Sequence, residues 1–82
     1  MTLHEVAAEL ARRMNCTVEP AQGEAQSVTV RGKGYHFVVA GFFGGWQATL
    51  YLPDQDPVTF YGEAVEALEI RLKGRLSGRP VD

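Results

Sequence analysis

The chain has 82 residues, a net charge of −2, 45% apolar and 22% charged residues, and a single cysteine. This is globular composition, with no apolar run near the roughly 20 residues of a transmembrane helix, no basic region followed by an apolar one at residues 1–20, and no general attraction for nucleic acid or anionic membrane expected. One cysteine excludes an internal disulfide, so the expectation is a cytoplasmic protein of one α+β domain over residues 1–82, with residues 77–82 as a flexible tail.

The first element is a helix over Leu3–Met14. Thr2 and Glu5 have the spacing of a capping box, in which each side chain satisfies a backbone N–H at the helix start. Leu3, Val6, Ala7, Leu10 and Met14 form one apolar stripe, while Glu5, Glu9, Arg12 and Arg13 share the outer side. Asn15 tolerates the left-handed conformation that ends a helix. Cys16 then reads as a small buried side chain. Thr17, Val18 and Glu19 suit a short extended piece before Pro20, and residues 21–25 read as a loop.

Residues 26–31 alternate as a strand, with Val28 and Val30 on one side and Ser27 and Thr29 on the other. A turn centred on Gly32-Lys33 sets Val30 opposite Tyr35 and Val28 opposite Phe37. Residues 35–52 read as one long hairpin about Gly44-Gly45, because glycine supplies the positive φ that a two-residue turn needs. That turn pairs Phe43 with Trp46, Gly41 with Ala48, Val39 with Leu50, and Phe37 with Leu52 on an apolar side. The other side pairs His36 with Pro53, Val38 with Tyr51, Ala40 with Thr49, and Phe42 with Gln47.

Pro53, Asp54, Gln55, Asp56 and Pro57 make a surface turn. Residues 58–60 either add a brief fourth strand or lead into a second helix. That helix is expected over residues 62–76, with Tyr61, Val65, Leu68, Leu72 and Leu76 as its stripe and Ile70 nearly opposite. The resulting order is α-β-β-β-α, a three-stranded antiparallel meander with both helices on one sheet face.

No constellation for catalysis emerges, and no catalytic residue, cofactor or metal is expected. His4 and His36 have no ligand-type residue at metal spacing, and Asp54 and Asp56 lack the glycine and glutamate of a calcium loop. Cys16 and His36 could serve as nucleophile and base only if the fold joined them. Gly32-Lys33-Gly34 does not precede a helix, so it lacks the geometry of a phosphate-binding loop.

The order α-β-β-β-α is similar to that of double-stranded RNA-binding domains, a family that grips phosphates with a lysine-rich start to its second helix. Here the matching stretch is Tyr61, Gly62, Glu63, Ala64, Val65 and Glu66, which is acidic, so the family's site residues do not carry over.

The leading expectation is a non-catalytic protein-binding or assembly module, self-associating as a homodimer. Its candidate interface is the mixed sheet face, where Val38, Ala40, Phe42 and Tyr51 form an apolar patch rimmed by Thr29, His36, Gln47 and Thr49. A domain this small buries only about 60–65% of its unfolded surface and gains from association. The tail or residues 16–26 could instead cover that face. A second expectation is nucleic-acid binding through Arg31, Lys33, Arg71, Arg75 and Arg79, against the acidic overall balance. A third is a small-molecule or catalytic site between sheet and second helix near Tyr61 and Trp46.

Overall fold

The computed structural model describes residues 1–20 and 26–78. The expected loop at residues 21–25 and the tail from Arg79 onward lie outside the described residues. The fold is α+β, with helix α1 (Leu3–Met14), strands β1 (Thr17–Val18), β2 (Ser27–Arg31), β3 (His36–Phe42), β4 (Gly45–Tyr51) and β5 (Val58–Gly62), and helix α2 (Val65–Ser77).

Helix α1 starts as its sequence dictates. Thr2 Oγ1 accepts from the Glu5 N–H at 3.2 Å, and Glu5 Oε1 accepts from the Thr2 N–H at 2.7 Å. Asn15 ends the helix in the left-handed region at φ 56°. The chain then turns into β1, whose two residues pair with β2.

All strand pairs are antiparallel, in the order β1-β2-β3-β4-β5. The expected three-stranded meander is therefore the centre of a five-stranded sheet. Val58–Gly62, which local sequence leaves open between strand and helix approach, pairs with β4 along its whole length. Tyr61 and Gly62, expected at the helix start, belong to this strand, and α2 begins at Val65. The difference has a physical source: Tyr61 lies four residues before Val65, the same spacing that joins Leu68 to Leu72, so a strand residue mimics one more turn of helix.

Two registers differ from expectation by two residues in pairing sum. The β3–β4 turn is formed by Phe43 (φ 43°) and Gly44 (φ 80°), not by Gly44-Gly45. Gly41 therefore faces Trp46, Val39 faces Ala48 and Phe37 faces Leu50. On the opposite side His36 faces Tyr51, Val38 faces Thr49, Ala40 faces Gln47 and Phe42 faces Gly45. The β2–β3 turn likewise moves to Lys33-Gly34, with Gly34 at φ 82° and the Gly32 N–H donating to the Tyr35 carbonyl at 2.9 Å. Val30 meets Phe37 and Val28 meets Val39. Because each shift is even, every side chain within the paired strands β2, β3 and β4 keeps its expected face, whereas Phe43, expected on the apolar side opposite Trp46, lies in the turn and is exposed.

Sheet packing explains the choice of turn. Gly45 enters the ladder where a Cβ would stand 2.8 Å from the Gly62 carbonyl oxygen. Gly41 stands directly opposite Trp46, and a Cβ there would be in ordinary van der Waals contact with the indole Cζ3, at 3.9 Å. This turn leaves Phe43 in the left-handed region, a conformation that is strained for a bulky side chain.

Both helices pack on one face, α1 against β1, β2 and β3 and α2 against β4 and β5. Val6, Leu10, Val28, Val30, Phe37, Val39, Leu50, Leu68 and Leu72 are fully buried between them, and no buried polar side chain occurs among the described residues. Arg13 ties the helices together, donating to Glu9 of its own helix at 2.8 Å and to Glu69 and Glu66 of α2 at 2.9 and 3.2 Å. The guanidinium hydrogen bonds of Arg12 and then Arg13 hold the Glu9 carboxyl down to about 2.

Candidate functional site

With both helices on the inner face, the outer face carries no helix among the described residues. It is built by alternation alone. Thr29 comes from β2; His36, Val38, Ala40 and Phe42 come from β3; Gln47, Thr49 and Tyr51 come from β4. All of the expected interface residues thus share one face, although their partners across the strands differ from those expected.

The corrected register organises that face into rows. One row runs Thr29, Val38, Thr49 and Thr59 across four strands, and the Thr49 and Thr59 hydroxyls hydrogen-bond at 3.0 Å. At one end His36 stacks on Tyr51, with ring centroids 4.7 Å apart and planes 10° from parallel. At the other, Phe42 touches both Phe43 and Tyr61 at centroid separations of 4.6 Å. Phe42 is 41% exposed, Tyr61 49% and Phe43 93%, so this end presents a continuous aromatic surface.

Thr59, Tyr61 and Phe43 join this surface without being among the expected interface residues. The first two escape local reasoning because residues 58–62 can be read as the approach to a helix. Their alternating, β-branched and aromatic run after Pro57 is the signal that points to a strand instead.

An open groove of about 780 Å³ adjoins the aromatic end, lined by Phe42, Phe43, Trp46, Tyr61, Ala67 and Ile70, with Glu63, Glu66 and Arg71 on it as well. Here the structure does bring together Trp46, Tyr61 and α2, the place named for a small-molecule site.

The remaining chemistry is dispersed. Cys16 is half-buried, with Sγ 3.1 Å from Tyr35 Oη, and burial together with this contact pushes the Tyr35 hydroxyl upward. His4 is exposed on α1, which packs on the inner face, whereas His36 stands on the outer one. Asp54 occupies the left-handed region at φ 59° in the turn closed by the Gln55 N–H donating to the Leu52 carbonyl. Among the described residues, no three histidine, cysteine or acidic side chains gather around a point that could hold a metal. No helix among them is long and apolar enough to cross a membrane.

Among the described residues, the basic side chains are not gathered into one patch. Arg31 pairs with Glu19, and Lys33 lies in the β2–β3 turn. Arg75 donates to Gln55 at 3.2 Å, while Arg71 lines the groove beside Glu63 and Glu66. Arg79 lies outside the described residues.

Comparison with family models, with curated proteins and with solved structures found no match.

Proposed function

We propose that this is a non-catalytic assembly module that binds protein through the outer face of its sheet, and that the protein bound there is a second copy. The observation that carries this reading is the make-up of the face. Aromatic side chains from β3, β4 and β5 gather at its two ends, Val38 and Ala40 lie between them among threonine and glutamine, and the charged Arg31 at its margin is already paired with Glu19. Depletion of charge with enrichment of aromatics is the compositional mark of an interface core. An almost uncharged surface can also meet its own copy without repulsion, and a domain of this size gains from the added burial.

Light scattering on wild type and on Phe42→Glu tests the reading. Wild type is expected to be an oligomer, and the introduced carboxylate, which would have to be buried unpaired, is expected to halve its mass. A wild type that stays monomeric when concentrated would sink the proposal.

A further inference from the structure

The two edges of the sheet are built differently. β1 is two residues long and is followed by Pro20, a combination that blunts an edge against further pairing. β5 is five residues long, reads Val-Thr-Phe-Tyr-Gly, and has neither a charge nor a proline within it. An edge of that kind is a template for another strand.

The direction of its free hydrogen-bonding groups follows from the hairpin. A two-residue turn makes Phe42 and Gly45 a hydrogen-bonded pair, and such pairs alternate, so Gln47, Thr49 and Tyr51 also spend their groups on β3. Trp46, Ala48 and Leu50 therefore bond β5 through Gly62, Phe60 and Val58. Thr59 and Tyr61 are left with their N–H and C=O groups aimed at the open side, and neither has a backbone partner outside the ladder among the described residues.

We infer that the β5 edge pairs with β5 of a second copy about a two-fold axis at Phe60. In that register Thr59 of one protomer faces Tyr61 of its partner, and the same pair recurs on the other side of the axis. Each pair exchanges both of its hydrogen bonds, so every outward group on the strand is satisfied. An edge strand pairing antiparallel with itself is self-complementary, as a two-fold interface requires. Apolar side chains flank the edge on both sides: Tyr61 from the outer face, and Ile70, 71% exposed on α2, from the groove that wraps the end of β5.

This inference deepens the assembly proposed above, rests on that reading, and names its second contact. The edge axis runs through the sheet, whereas an axis relating two outer faces lies parallel to it. Perpendicular two-folds close into a tetramer of two ten-stranded sheets packed face to face.

Amide hydrogen exchange on the wild type, with sedimentation equilibrium of wild type, Thr59→Pro, Phe42→Glu and the double variant, tests it. Proline at position 59 removes an outward N–H and leaves the β4 ladder intact, which an edge strand tolerates. Protection of the Thr59 and Tyr61 amides is expected to approach that of Val58 and Phe60. A tetramer is expected for wild type, half that mass for each single variant, and a monomer for the double. If the edge inference fails and the face reading holds, wild type is a dimer whose Thr59 and Tyr61 amides exchange rapidly, and Phe42→Glu makes it a monomer. If only the face reading fails, wild type is again a dimer, but Thr59→Pro makes the monomer. Rapid exchange at Thr59 and Tyr61 at all concentrations overturns the edge pairing even if the proline variant does not fold.

Discussion

A Cβ at Gly45 would stand 2.8 Å from the carbonyl oxygen of Gly62, so the first residue of β4 and the last residue of β5 meet at a distance only glycine allows. That contact brings Tyr61 beside Phe42 and sets where α2 can begin.

Gly45→Ala is accordingly expected to destabilise the fold by about 1–3 kcal/mol, the usual cost of forcing atoms into a packed site. Gly74 gives the opposite sign. It lies in the exposed interior of α2 with nothing within 4 Å of the position a methyl would take, so Gly74→Ala is expected to stabilise by about 0.5–1 kcal/mol. Urea titration of both, in the background of the Thr59→Pro and Phe42→Glu double variant so that association does not enter, checks the pair.

Phe43 contradicts local preference twice, holding a bulky side chain at φ 43° while 93% exposed. The turn it shares with Gly44 favours asparagine there. Phe43→Asn is expected to raise stability by about 1 kcal/mol through relief of the left-handed penalty, read as a shift in the denaturant midpoint at unchanged slope. A loss of stability would mean that the phenylalanine contributes to the isolated fold.

Acid should loosen the joint between the helices. Hydrogen bonds from Arg12 and then Arg13 hold Glu9 at about 2, and those from Lys73 and then Arg13 lower Glu69, against an ordinary value of 4.5. Groups with depressed folded values stabilise the fold above the unfolded value, and that contribution is lost as pH falls through the folded one. Tm is therefore expected to fall between about pH 4.5 and 2. Arg13→Ala should flatten the decline, because both carboxyls then lose one of their donors; an unchanged slope in a folded variant would assign the decline to other groups.

Much of the architecture is legible in the sequence because it depends on parity and periodicity. The Thr2–Glu5 box and the stripe through Val6 and Leu10 define α1 without reference to the rest of the chain. Val28, Val30, Phe37, Val39 and Leu50 reach the core under either register, since a shift of two leaves faces unchanged. For the same reason Thr29, His36, Val38, Ala40, Phe42, Gln47, Thr49 and Tyr51 fall on one face whichever turn closes the hairpin. What local reasoning misses are choices made by tertiary contact. Gly-Gly looks like the natural turn until Gly45 is needed against Gly62, and Tyr61 looks helical until β4 supplies a ladder for it. Thr59 and the free edge of β5 stay hidden behind that second ambiguity.

The most direct measurement of the central claim is a filtered NOE experiment on a sample mixing isotopically labelled and unlabelled protein. Contacts between copies at the Val38 and Ala40 methyls and the Phe42 and Tyr51 rings are predicted. Intermolecular contacts confined to other surfaces, or none in a concentrated sample, would contradict the assignment of the outer sheet face as the binding surface.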